Sequence, residues 1–450
     1  MIKKPTLFIL LGAILLGAAV YFFDWKRSLK KEALELSAES GTPAFAMGSA
    51  ADIKWIKLAR PAELNQTPIQ IEKRGDTWEI TQPLPTEADQ PSLEQMVSSI
   101  AGARVETKLP GTPDRLKAYG LDPPAVTVEF RLANGSSHTL KLGGKDFTGM
   151  SVYAVADGSA DVTLLPMTLL SITAKSFDQL RDHNVLHFAT ADIASFDLKN
   201  SSGEIAAAKQ NDNWNFIKPA SGPADSNAVQ ALLGSVTGAK MASIASETPD
   251  NPAKYGLTSP GITFTAADAK GRSLTLIVGK KDGGEYFARD NSRPMIFRMA
   301  ENVHKSLAST YSDLRDKRVV RFDAADVNHI ELRNSNGTMS ATRKAEENWT
   351  IDSPGDQKGK PAGAWKILTP FTAARAEEVI DHPSAAILAL LAKAPVEATF
   401  TDKNGKKITV RVSAVSDDFV YAQTSDGSAV YKLRKQLSND LNFKASDLAM

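Results

Sequence analysis

A constant spacing of 136 residues runs through the first part of this chain and restricts it to a duplicated fold. The stretch "KAYGLDPPAVTVEF" from Lys117 returns as "AKYGLTSPGITFTA" from Ala253, so that Tyr119 matches Tyr255. The same offset joins Trp78 to Trp214, Pro83 to Pro219, Asp89 to Asp225, Pro124 to Pro260, Gly135 to Gly271 and Gly143 to Gly279. An ungapped register from Trp78 to Gly143 is the mark of duplication, and a repeat of this length takes precedence over any single-domain reading.

A third copy follows in altered form. Three similar strands open the copies: "ADIKWIKL" from Ala51, "ADIASFDL" from Ala191 and "ADVNHIEL" from Ala325. Each is followed by a tryptophan strand, "DTWEITQP", "DNWNFIKP" and "ENWTIDSP", carrying Trp78, Trp214 and Trp349. The turns at Gly135, Gly271 and Gly405 align, and "VYAVADGSADVTLL" from Val152 resembles "VYAQTSDGSAVYKL" from Val420. Copy three has no Tyr-Gly-Leu segment and carries "GDQKGKPAGAWKILTP" around Trp365 instead.

Periodicity gives each copy a local structure. Trp78 with Ile80, and Trp214 with Phe216, alternate as one face of a strand that Pro83 or Pro219 ends. Leu93, Met96, Val97 and Ile100, mirrored by Val229, Leu232, Leu233 and Val236, form the apolar stripe of a helix capped by Asp89 or Asp225. Val126, Val128 and Phe130 then alternate as a strand, and Asn134-Gly135 turns it into a return strand with Leu140 and Leu142. A last helix is predicted over Met167–Leu180, mirrored over Ala300–Leu314. The predicted fold class is therefore α+β: an N-terminal transmembrane helix followed by three tandem repeats built on mainly antiparallel sheets. The expected division is an anchor at 1–24, a linker at 25–49, and repeats at 50–189, 190–323 and 324–450, the last with an insertion near 355–370.

The anchor rests on "MIKKPTLFILLGAILLGAAVYFFDWKR". The uncharged run from Pro5 to Phe23 reaches roughly 28 Å as a helix, enough to cross a hydrocarbon core. A cleaved signal peptide is the competing reading, but the small-residue stretch at Ala44–Ala46 lies far downstream of the run. Lys26, Arg27, Lys30 and Lys31 outnumber Lys3 and Lys4 and taken alone pull the body inside. Asp24, Glu32 and Glu35 dilute that cluster, and long domains translocate largely regardless of charge, so the expected place is the inner membrane with the body in the periplasm.

Composition excludes several chemistries. With 53 basic against 52 acidic residues there is no nucleic-acid footprint. Without cysteine there is no disulfide frame, thiolate metal site or cysteine nucleophile. "HNVLH" would put His183 and His187 on one helix face, but Asn184 stands where a zinc protease needs Glu, and no metal is expected. "LGGKDFTG" and "VGKKDGGE" fit neither phosphate-binding pattern and read as strand-to-strand loops, with Lys145 and Lys281 in matching places. No cofactor and no catalytic residues are assigned, and the chain reads as a non-enzyme.

Three residues remain as candidates for partner binding. Tyr119 and Tyr255 belong to segments in which Gly120 and Gly256 suit the left-handed position after a short helix, so helix termination is the preferred reading for both. Trp365 lies in a polar, Gly/Pro-rich stretch special to copy three, where exposure and binding are expected.

The anchor, the tryptophan strand ending in proline, the Ala-Asp-led helix, "YGL-x-x-P" and the Gly-ended strand together resemble the bacterial family of domain of unknown function 4340. The resemblance covers nearly everything after residue 50 and is strongest in copies one and two. It implies a membrane-anchored, extracytoplasmic protein associated with gliding-motility-type ABC transporter systems, and it carries over no catalytic residues. The leading expectation is a periplasmic accessory protein docking on membrane-complex subunits. An envelope hydrolase acting on polysaccharide between repeats is the alternative, and a structural spacer a third.

Overall fold

The computed structural model describes residues 41–450 apart from 46, 48, 61–66 and 346–347. The predicted anchor and most of the linker lie outside the described residues. Among those described, no helix is long and apolar enough to cross a membrane. The described residues form two compact units, one ending at His183 and the other running from Asn184 to Met450.

The first unit holds a nine-stranded antiparallel sheet. Its order is Thr86–Glu87, Thr77–Gln82, Ile69–Arg74, Ile53–Ala59, Val126–Leu132, Ser137–Lys145, Ser151–Ala156, Asp161–Pro166 and Thr107–Pro110. Two four-stranded meanders thus join through their first strands, Ile56 facing Phe130 and Leu58 facing Val128. The second unit repeats the design twice. A nine-stranded sheet has the same order, from Gly222–Pro223 to Met241–Ser246, and an eight-stranded one lacks only the outermost two-residue strand. The protein is α+β with antiparallel sheets in tandem.

Each sheet buries one face under a helix. Asp89 accepts from the Ser92 amide and Asp225 from those of Asn227 and Ala228, which starts the helices Gln90–Ala101 and Ser226–Thr237. The four stripe residues of each helix are buried against the tryptophan strand and its neighbours, each contributing about 1.5–3 kcal/mol relative to exposure. In copy three Gly363 replaces the capping aspartate, and the helix Trp365–Ala373 buries Ile367, Leu368 and Phe371. Trp78, Trp214 and Trp349 are all core residues. A cis peptide precedes Pro83, Pro219 and Pro354 alike.

Two expectations need correction. The last helix of copies one and two is not continuous: Thr168–Thr173 is followed by Phe177–Leu180, and Glu301–Leu307 by Tyr311–Leu314. Ser176 with Gln179, and Thr310 with Asp313, form capping boxes that start a new helix within the predicted one. The stretch around Trp365 is not an irregular insertion either. The amides of Ala88, Ala224 and Ala362 donate to the carbonyls of Trp78, Trp214 and Trp349, so only the loop from Pro354 to Ala362 is longer, by three residues. Trp365 therefore begins the core helix of its copy.

Connectors between copies are tied down in a way periodicity does not reveal. Val185, Leu186 and Phe188 pack into the second core, and Val319 and Val320 into the third. Within copy two, Asn200 donates to the carbonyls of Leu307 and Ser309 between the last two helices, and within copy three Asn334 does the same to Leu441 and Phe443. In copy one Arg60 donates to the corresponding carbonyl of Lys175.

Candidate partner-binding site

The Tyr-Gly-Leu segments lie on the second face of their sheets. Tyr255 and Leu257 cluster with Phe287 and Ile296, whose neighbours Ala288 and Phe297 point into the main core. Gly120 and Gly256 adopt φ of +65° and +73°, and Leu121 and Leu257 return hydrogen bonds to Leu116 and Pro252. The next contact explains another matched pair. A Cβ on Gly143 would sit 2.3 Å from the Tyr119 carbonyl oxygen, and one on Gly279 would sit 2.1 Å from that of Tyr255. Copy three, which lacks the segment, has the buried Ser413 at this place in the strand order.

This geometry assigns the two tyrosines mainly to the fold. Tyr255 is 8 % exposed and meets Phe287 edge-on at 4.9 Å. Tyr119 is half-buried and stacks on Tyr153 at 4.0 Å. Beside Tyr255 a shallow cavity of about 390 Å³ includes Lys254, Lys280 and the Arg298–Asp282 ion pair, 2.6 Å apart.

Trp365 stands apart at 61 % exposure. Because Ile367, Leu368 and Phe371 take the core face, Trp365, Lys366, Thr369 and Pro370 are left to line a groove of about 480 Å³ with Asp440, Phe443 and Asp447. Lys366 donates to the Asp447 carbonyl, and its ammonium lies 5.7 Å from the indole centre. Pro370 has no N–H to give the Lys366 carbonyl four residues back. A second groove of about 320 Å³ shares Thr369, Pro370 and Asp440 and continues to Leu433 and Leu437.

Sequence reasoning passed over a second exposed apolar surface. Where copies one and two place the Tyr-Gly-Leu segment, copy three has the helix Ala385–Ala392, reading AAILALLA and capped by Ser384. It packs on the strand Phe419–Thr424, yet only Leu391 is buried, with Leu388 44 % and Leu390 36 % exposed. The signal was eight uncharged residues with no polar stripe, a pattern expected of a buried helix rather than a surface one.

A second missed signal is the echo of "LRDHNVLHF" in "LRDKRVVRF". His183–His187 is not helical, so the spacing that placed both histidines on one face has no such effect. In the second occurrence Asp316, 1 % exposed, accepts from the Arg318 backbone and guanidinium and from Arg321 Nε at 2.9 Å. Burial alone pushes this carboxyl up, but the hydrogen bonds and charge of the two arginines hold it below the usual carboxylate range. Arg321 also reaches the Tyr431 hydroxyl, Arg315 pairs with Asp381, and the Ala376 amide donates to Lys317. The cluster joins copies two and three within their unit.

An acidic pair lies on neighbouring strands of copy two. Asp197 is pushed up by burial and by Glu204, while Glu204 is pulled down chiefly by its hydrogen bond from Lys218 at 2.8 Å. With Lys199 also 3.4 Å from Glu204, the group forms a cross-strand charge network, and neither acid lines the grooves described above.

Fold and surface together define a tandem α+β repeat protein in which, among the described residues, the exposed apolar helix Ala385–Ala392 belongs to the third copy. The profile of the family described as Domain of unknown function (DUF4340) matches the chain twice, at residues 78–221 and 214–390. The chain belongs to this family. No curated protein matches it.

Proposed function

We propose that this chain is a non-catalytic, membrane-anchored accessory protein of the periplasm, and that its third copy docks on a subunit of an ABC-type transporter or related envelope complex. The observation that carries the reading is the helix Ala385–Ala392, apolar throughout and exposed along most of its length. Contiguous apolar surface of this kind marks interaction sites, and a short apolar helix suits a hydrophobic groove on a partner. The groove beside Trp365 offers the same copy a separate aromatic anchor. Membrane attachment is supported by the apolar run Pro5–Phe23.

The test is crosslinking and affinity purification in mild detergent, comparing the native chain with Leu388→Asp. Leu388 is 44 % exposed, so the change should leave the fold intact. The native chain should recover a membrane-complex subunit, with recovery reduced at least about tenfold by the variant. Purification of the native chain as a lone monomer would sink the proposal. A periplasm-active reporter fused after Met450 should be active, and silence would reverse the topology.

A further inference from the structure

The loop from Asp146 to Ser151 presents two apolar side chains that the fold does not need. Phe147 is 98 % and Met150 77 % exposed. The loop holding them is well braced. The buried Asp146 carboxylate accepts from Thr148 Oγ1 at 2.7 Å and the Ser151 amide at 3.0 Å. The Gly149 amide returns to the Asp146 carbonyl, and the Met150 amide donates to Thr148 Oγ1. Gly149 takes φ of +74°, which the tight turn requires. In copy two the corresponding tip is the glycine pair Gly283-Gly284, with Asp282 engaged by Arg298. In copy three the equivalent loop exposes only the smaller Val415, next to the acidic pair Asp417 and Asp418, so among the described residues a tip with an exposed aromatic side chain belongs to copy one.

Its surroundings indicate what it meets. The Gly41 amide donates to the Val105 carbonyl at 3.3 Å, and Arg104 returns a bond to the Gly41 carbonyl. The next residue, Glu106, accepts from Ser151 Oγ at 2.5 Å, at the base of the tip. The first described residues after the apolar run Pro5–Phe23 therefore pair with the short strand Arg104–Val105, which is followed directly by the residue that holds the base of the tip. Exposed Lys145 adjoins the tip and exposed Arg104 lies two residues before Glu106, while the Asp146 charge is turned inward. A convex apolar tip with basic neighbours suits a lipid surface, which needs no complementary groove.

We infer that the Asp146–Ser151 loop is a lipid-contacting tip, seating Phe147 and Met150 in the interfacial layer of the bilayer that holds the N-terminal segment. The inference rests on the membrane-anchored reading above. It adds a second point of contact, so that copy one lies against the membrane surface and does not swing freely on its linker.

The chain has no cysteine, which makes single-site labelling direct. Full-length Phe147→Cys and Asn134→Cys, the latter in the exposed turn before the strand Ser137–Lys145, are labelled with an environment-sensitive fluorophore. Both are placed in nanodiscs of phosphatidylethanolamine and phosphatidylglycerol. The label at 147 should be shielded from aqueous iodide at least about threefold relative to 134, and be quenched by lipid-borne quenchers. Equal exposure at both positions in chains that co-purify with nanodiscs overturns the tip and leaves the anchor standing. Failure to incorporate at all overturns the anchored reading, and the tip falls with it. Shielding only in nanodiscs made from native membrane extract identifies a protein partner and overturns the lipid assignment.

Discussion

Replacing Gly143 by Ala should detach the Tyr-Gly-Leu segment of copy one from its sheet. The added Cβ would lie 2.3 Å from the Tyr119 carbonyl oxygen and 2.9 Å from Leu121 Cγ. Relief requires the segment to move by about an ångström, since relaxed carbon–oxygen contacts lie near 3.3 Å. That shift breaks the hydrogen bond from the Gly144 amide to the Tyr119 carbonyl, now 2.7 Å, and disturbs the stack of Tyr119 on Tyr153. One hydrogen bond at about 1 kcal/mol and overpacking at about 1–3 kcal/mol give a destabilisation of about 2–4 kcal/mol. Hydrogen exchange read by mass spectrometry localises the effect. Amides around 116–121 and 142–144 should exchange about 30- to 1,000-fold faster, with other copies unchanged. Gly234→Ala is the control of opposite sign: Gly234 lies inside the helix Ser226–Thr237, its added Cβ meets nothing within 4 Å, and the change should stabilise by about 0.5–1 kcal/mol. Protection in Gly143→Ala within threefold of the native chain would refute the argument that the glycine is kept for the tyrosine carbonyl.

Two further outcomes concern ionisable groups. Asp316→Ala should destabilise the second unit by about 2–3 kcal/mol, below the full value for a buried pair because Arg318 and Arg321 are part-exposed. The Asp316 pKa is depressed, so its contribution is present above about pH 4 and fades as pH falls through the folded value. Urea melts at pH 7 and pH 3 should show the variant's deficit shrinking in acid, and an equal deficit at both would contradict the assignment. His304 stacks on Tyr286 at 3.7 Å, and burial holds its pKa below the usual histidine value despite the opposing pull of Glu301. The unfolded chain takes up a proton near pH 6.5 that the folded chain resists, so stability is lost as pH falls below that value. His304→Phe should flatten the melting temperature between pH 7.5 and 5.5, and an undiminished slope would count against this role.

How much was legible depended on range along the chain. Helix caps at Asp89 and Asp225, the stripes from Leu93 to Ile100 and from Val229 to Val236, and the alternation in Val126–Phe130 are local patterns, and each stands where the residues predict. Capping boxes at Ser176 and Thr310 are equally local, yet the apolar run around them concealed the helix break. The site was less accessible. Trp365 reads as exposed from its polar neighbours, but its place at the head of a core helix follows only from the pairing of Ala362 with Trp349. The run AAILALLA has the composition of a core helix, and only the surroundings reveal that it lies outside.

By itself the sequence determined the duplication, the antiparallel α+β character of each copy and the role of the Tyr-Gly-Leu segment as a helix stop, because all three are written in residue spacing. Tertiary structure alone decided why Gly143 and Gly279 accompany that segment while Ser413 stands in copy three. The reason is a contact between backbone atoms more than twenty residues apart, and no local propensity records it. Tertiary structure also decided which apolar residues are left over. Burial is a property of the assembled sheet, so the exposure of Phe147 and Leu388 becomes visible only once every other apolar side chain has found its place.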